Sequence, residues 1–515
     1  MRRALIRFAG RRLVLVVALA CGSSSAANNN SNGVDGSGFP ADDPAATNLA
    51  ALSTPLAQNI SIASVAGYQV MKVALGDNGQ PGNRAIAGTT PPLSLSLVAN
   101  RDALVRVFVN PGASFKPAPI TARVKVQLSG PTGTRTQIFF AQKTVTTGSV
   151  EADLDSTINV KVPGSALEPG AMFGVVLNQV GGDTSPAATS TARYPQDGTL
   201  ADMAVGGGGD VIHIKVVPFK YDADGSGRLP AIDEAQLKIL RDRFYQLYPT
   251  ATVDMTVRDA IPWSTAISGG GQGFGEALKT MGDLHGKDGA PNDLYYYGMF
   301  EPTADFGQFC GGGCITGLSN LGSPTSVGIG YPGEGTAGTM VHEVGHAHGL
   351  DHAPFCNATS QMNYWPKDAS HDGAHLGGWG YDSIGNKMID PSSTTDFMSY
   401  CGNNWVSDFH YARLFQRIKG DNKFYADMVG DFRGVQLPSD GQASWEELPT
   451  NQAWIRNGEP RDVEVVQIDG MTAIKTAYYF PFDHLPGGKL MVPNDAITGA
   501  AGLRFASRAI ALPTH

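Results

Sequence analysis

His342-Glu343-Val344-Gly345-His346-Ala347-His348-Gly349-Leu350-Asp351-His352 is the segment of this chain whose residue types and spacing can do chemistry. On a helix, His342 and His346 lie one turn apart and project their imidazoles from one face. Two imidazoles so placed grip a divalent ion, and zinc prefers nitrogen ligands in tetrahedral geometry. Glu343 directly follows the first ligand, which sets its carboxylate beside the ion rather than on it. Gly349 can take the positive φ that ends the helix and turns the chain back. His352 then comes within reach as a third ligand. The fixed positions are those of HExxHxxGxxH, and with 11 histidines and 64 glycines in 515 residues a chance match is expected in roughly 1 in 10⁴ to 10⁵ such chains. A competing zinc architecture takes its third ligand from a glutamate on a later helix, but no glutamate lies between Glu343 and Glu446. His348 falls about 240° round the helix from His342 and reads as a structural or loop-contact residue rather than a ligand.

Downstream stands Asp396-Phe397-Met398-Ser399-Tyr400-Cys401. Together with the histidine motif, this segment resembles the metzincin clan of zinc endopeptidases, whose motif is followed by a methionine turn. The resemblance implies that Met398 forms a hydrophobic floor beneath the ligands and that Tyr400 places a hydroxyl near the zinc. Within the clan, residues 342–352, 396–408 and 221–230 are most similar to bacterial mucin- and glycoprotein-cleaving metalloproteases, with pappalysin-like enzymes second. It further implies an exported endopeptidase acting on extracellular proteins or glycoproteins. Zinc would lower the pKa of a water ligand to around 7. Glu343 would be the general base that takes the water's proton and returns it to the leaving amine, and Tyr400 a donor to the oxyanion. A reading of another class is a non-enzymatic surface adhesin with a structural zinc site. Glu343 separates the two, because a structural site needs no carboxylate beside its metal. A zinc amidase acting on cell wall is a third reading that no residue favours.

The elements that must position these residues fall into a multi-domain layout. Residues 60–205 alternate apolar and polar residues, as in Arg123-Val124-Lys125-Val126-Gln127-Leu128, between Gly, Pro and Asn clusters, which predicts an Ig-like β-sandwich. Residues 210–437 predict an α+β metzincin-like protease domain: strands over 211–219, 251–257, 293–300 and 326–331 interleave with helices over 233–248, 275–284, 337–349 and 407–419. The strand 326–331, just before the motif helix, is expected at a sheet edge, either pairing with extended substrate backbone or merely ending the sheet. Residues 438–515 return to β, with Asp469-Gly470 suited to a hairpin turn.

The N-terminus reads as an address. Arg2, Arg3, Arg7, Arg11 and Arg12 precede the apolar run 13–20, which is too short to span a bilayer and has the layout of a signal peptide over 1–21. Ala18-Leu19-Ala20-Cys21-Gly22 resembles a lipobox with Cys21 lipidated, although Ala18 stands where leucine is usual. The same residues satisfy an A-x-A cleavage site, so a bacterial cell-envelope lipoprotein and a secreted protein both remain open. Residues 22–59, rich in Ser, Asn and Gly at their start, predict a flexible tether. Setting Cys21 aside leaves Cys310, Cys314, Cys356 and Cys401, an even number in a chain bound for a compartment where disulfides persist. The expected pairing is Cys310 with Cys314 and Cys356 with Cys401, one of three connectivities. With no cysteine between Cys21 and Cys310, a cysteine-based latency switch has no donor.

Net charge −9 gives no electrostatic footprint for nucleic acid; the partner that the resemblance implies is a protein or glycoprotein substrate, with membrane contact only through the N-terminal lipid. The 42% hydrophobic and 17% charged residues exclude global disorder. Asp222, Asp224, Ser226 and Asp233 fall at calcium-loop spacing. Pro230 and an aspartate at the last position weigh against Ca²⁺, and a tight glycine turn is the other reading. Trp379, beside His371 and His375, either lines the substrate cleft or anchors its loop.

Overall fold

The computed structural model describes residue 34 and residues 36–513, apart from 44–45, 90–91, 132, 208–210, 359–364, 422–430, 440–441, 448–449 and 452–457. The leader and Cys21 lie outside the described residues.

In the N-terminal part, two five-stranded sheets form. One orders Gln80–Pro81, Lys72–Asp77, Ile60–Tyr68, Ala103–Pro111 and Ile158–Val162; the other is built on Met172–Asn178, Ala118–Gly130 and Gly133–Val145. Val65, Val105 and Val107 of the first sheet share one buried core with Val124 and Val175 of the second. The expected tether over 22–59 needs correction in its second half. Phe39, Leu49, Leu52, Leu56 and Ala57 are buried, and Lys125 reaches out of its strand to a buried ion pair with Asp42 at 2.5 Å. The polar composition belongs to the start of that segment; from Leu49 onward it carries enough apolar side chains to fold onto the sheet.

Arg101 couples this part to the next. Its buried guanidinium donates to the carbonyl oxygens of Tyr245 (2.6 Å), Tyr248 (2.8 Å) and Thr250 (2.9 Å), at the C-terminal end of helix Glu234–Leu247. Carbonyls at a helix end have no intrahelical donor, and here an arginine from another part of the chain satisfies them.

The central sheet runs in the order Thr252–Val257, Val211–Tyr221, Leu294–Phe300, Thr325–Ile329, Gly317–Ser319. Neighbours are parallel except the last, which is antiparallel. Helices Glu234–Leu247, Phe274–Lys287 and Glu334–Ala347 flank it. The strand expected at the edge over 326–331 is interior: Thr325–Ile329 is paired on both sides and every residue is buried. The edge belongs to Gly317–Ser319, a strand too short to show periodicity.

The last part is an eight-stranded antiparallel sheet that begins at Asp431, ahead of the expected boundary at 438. Val435, Val463, Val465, Leu490 and Leu503 form its own core. The tip of its hairpin Thr472–Pro481/Gly487–Pro493 leaves that core, and Phe482 is buried among Phe219, Phe300 and Leu318 of the central unit. Among the described residues, no helix is long and apolar enough to cross a membrane.

Candidate metal centre

Helix Glu334–Ala347 carries His342, Glu343 and His346. Gly349, at φ 87°, turns the chain back and returns His352 to the same point. The Nε2 atoms of the three histidines lie 3.1 Å (His342–His346), 3.2 Å (His346–His352) and 3.3 Å (His342–His352) apart. His342 Nδ1 is 2.9 Å from Phe397 O, and His346 Nδ1 is 2.8 Å from Leu350 O. A carbonyl only accepts, so both rings carry their proton on Nδ1 and turn a bare Nε2 lone pair inward. Converging lone pairs repel unless a cation sits between them. A tetrahedron with bonds of ~2.0–2.1 Å has an edge of about 3.3 Å, so the donor set fits a zinc-sized divalent ion. Burial, and then the neighbouring imidazoles, hold the pKa values of His342 and His346 well below the usual histidine range, which keeps them neutral ligands.

Glu343 is buried beside this cluster. Burial first, and then the Asp483 carboxylate next to it, push its pKa well above the ordinary carboxylate range. Met398 is buried beneath the motif helix, and a Cβ on residue 345 would lie 2.8 Å from its Sδ, so Gly345 lets the floor approach between the two helical ligands. The turn is tied down from below. Asp396 Oδ1 accepts from Met398 N (2.7 Å) and pairs with His410 Nδ1 (2.8 Å), while Oδ2 accepts from Ser407 N (2.8 Å). Tyr400 sets its ring 4.9 Å from that of His352. Burial first, with Asp483 and Glu343 adding, raises the pKa of its phenol. Cys356 is bonded to Cys401, tying the segment after His352 to the methionine turn, and Cys310 to Cys314, beside the edge strand.

Other expectations resolve differently. His348 points away from the cluster: its Nδ1 is 2.7 Å from Val344 O, its ring stacks on Tyr295, and burial lowers its pKa to about 3. The structure does not gather Asp222, Asp224, Ser226 and Asp233 into a cation cage. Asp224 pairs with Arg228 at 2.5 Å, and Asp233 caps helix Glu234–Leu247 by accepting from Gln236 N at 3.0 Å. The residues form a glycine turn and a helix start. Trp379 anchors its loop, packed against the cluster of Tyr68, Leu104 and Phe108.

Two residues at the centre carry no signal in the sequence. Asp483 and His484, from the C-terminal hairpin tip, stand against Glu343 and the histidines, with His484 Nε2 3.1 Å from Glu343 Oε1 and Asp483 Oδ2 3.4 Å from His346 Nε2. Nothing in Phe482-Asp483-His484-Leu485 has a fixed spacing to the motif that would reveal it.

A protein-family model described as Peptidase M66 matches residues 315–417. The M66-matched span begins just before the edge strand and contains the motif helix, His352, the Cys356–Cys401 bond and the methionine turn. It stops short of Asp483 and His484. The match supports a metallopeptidase, and the histidine cluster is compatible with a metal ion. Among curated proteins, none matches the chain.

Proposed function

We propose that the protein is an exported, zinc-dependent endopeptidase of metzincin type that hydrolyses peptide bonds in extracellular proteins or glycoproteins. The observation that carries this reading is the convergence of three Nε2 lone pairs beside a buried glutamate inside the M66-matched span. His342, His346 and His352 would hold the ion. A zinc ion on three imidazoles supplies a Lewis acid and lowers the pKa of a water ligand toward ~7.

The remaining chemistry belongs to the chain. Glu343 is the general base: a buried carboxylate beside the three imidazoles accepts a proton from water and returns it to the leaving amine. Tyr400 stands at the rim of the cluster as the donor to developing negative charge on the carbonyl oxygen. Gly317–Ser319 offers the edge on which extended substrate backbone adds as a strand.

The layout of a β-sandwich, a protease domain and a C-terminal β domain is part of the proposal. So is anchoring through Cys21, with release after Ala20 as the alternative. Elemental analysis of the purified protein and of His346→Ala, with cleavage-site profiling on denatured glycoproteins and proteome peptides, tests the reading. About one zinc per chain, lost in the variant, and metal-dependent peptide cleavage are expected. Undiminished zinc in His346→Ala would overturn the ligand assignment, and a metal-loaded protein that cleaves nothing would return the adhesin reading.

A further inference from the structure

The hairpin tip that brings His484 to the metal centre lies along the sheet edge. Pro481 O accepts from Leu321 N (3.2 Å), Phe482 bridges Asn320 in antiparallel fashion, and Asp483 N donates to Ser319 O (3.4 Å). Asp483 Oδ1 accepts from Ser319 N (3.0 Å), and its Oδ2, buried and without a hydrogen-bond partner, faces the histidines. Backbone groups on a sheet edge are the ones that an extended peptide engages by strand addition, so the tip sits where a substrate chain would run.

His484 follows at once. Its ring centroid lies 5.4, 5.6 and 5.1 Å from those of His342, His346 and His352. Within the triad the corresponding separations are 4.7, 5.3 and 4.6 Å. Four imidazoles bound through Nε2 to one tetrahedral ion at ~2.0–2.1 Å have ring centres about 5 Å apart. The fourth ring therefore lies at nearly that separation from all three others, with a ring nitrogen within 4.8 Å of each of theirs. Tyr400 Oη lies 2.5 Å from His484 Nδ1; with the phenol oxygen accepting, the ring carries its proton on Nδ1 and Nε2 is bare.

We propose that His484 is a fourth metal ligand supplied by the C-terminal sheet, and that the hairpin tip thereby holds the centre in a closed, latent state. This rests on the reading of the site as a hydrolytic metal centre. In the closed state the Nε2 lone pair goes to the ion in exchange for the contact with Glu343 Oε1, 3.1 Å away, and the imidazole takes the direction that a water or a substrate carbonyl needs. Turnover requires His484 to withdraw.

The test uses the full-length protein loaded with Co²⁺, whose visible absorption reports its ligands, in wild-type, His484→Ala and His484→Gln forms, with thermal unfolding as a check on folding. Both variants are expected to shift the cobalt spectrum and to bind azide about tenfold or more tightly than wild type, because an internal ligand lowers apparent affinity by the fraction of centres left open. Peptide turnover of the zinc forms should rise by a similar factor. Identical spectra and azide affinities in all three proteins would overturn the proposal. So would a loss of turnover in both variants with an unchanged spectrum, which would place His484 on the substrate or the base instead. Wild-type protein that takes up no cobalt would overturn the metal centre itself, and the fourth ligand with it.

Discussion

Glu343 and Gly317 share a space that holds only one side chain: a Cβ on residue 317 would lie 2.4 Å from Glu343 Cγ and 2.5 Å from its Cδ. The first residue of the edge strand thus sets the position of the Glu343 carboxylate, the proposed general base. Gly317→Ala should push the carboxylate off its station while leaving the three histidines alone. A misplacement of about 1 Å costs on the order of 10²-fold in rate, so kcat is expected to fall by that order with zinc content unchanged. Steady-state kinetics paired with elemental analysis checks it; wild-type kcat in Gly317→Ala would show that Glu343 does not need its present place.

Glu343→Gln keeps the size of the side chain and all three histidines of the cluster. It removes the carboxylate that the motif places to accept a proton, so kcat should fall by at least ~10²–10⁴. The comparison is best made in the wild-type and His484→Ala backgrounds side by side, where the loss should be equally large. A variant with full zinc that retains more than about a tenth of the parent kcat would rule out Glu343 as the base.

Metal removal should be visible as lost stability. His346 and His352 are buried and His342 nearly so, so stripping the ion leaves inward lone pairs facing one another. A ligand present at about 1,000 times its Kd stabilises the native state by ~4 kcal/mol. Chelation of the wild-type protein is expected to lower Tm by several degrees, reversibly on adding zinc, and to leave the Tm of His346→Ala where it was. Equal responses of the two proteins would argue that the ion is not held there.

Much of this site was legible in the sequence because its parts are local. His342, Glu343 and His346 share one helix face, Gly349 forces the return to His352, and Met398 follows in a turn of its own. Spacing alone encodes those relations. His484 and Asp483 obey no such rule: a tertiary contact between sheets brings them in, and a hairpin tip has no period to betray it. The edge strand was misplaced for a related reason. Thr325–Ile329 is the stronger apolar run because it is interior and covered on both faces, whereas Gly317–Ser319 is short and contains the glycine that Glu343 needs. The expected tether failed where it was carried past its polar start to residue 59, since Leu49, Leu52 and Leu56 are core residues.

His371 supplies a pH-dependent element away from the histidine cluster. Its ring bridges Asp408 (Nε2–Oδ1 2.7 Å) and Asp368 (Nδ1–Oδ2 2.9 Å). Burial works against the charged imidazole, but the two carboxylates outweigh it and raise its pKa above the ordinary value. A raised folded-state pKa gives stability that is complete below the unfolded value of ~6.5 and is lost as pH rises through the folded one. His371→Gln, which cannot take up the proton, should therefore be destabilised most at pH 6, by about 3 kcal/mol, and progressively less toward pH 9. Denaturant midpoints measured across that range check the trend, and a difference that grows with pH would contradict it.

Arg101 bears on how the molecule comes apart. Its guanidinium is sealed between the N-terminal sheets and the end of helix Glu234–Leu247, where three carbonyls depend on it. Melting either side alone would strand a buried cation on one surface and unsatisfied acceptors on the other, a penalty of several kcal/mol. The N-terminal sheets and helix Glu234–Leu247 are therefore expected to unfold together, and heat absorption on unfolding should gather them into one peak.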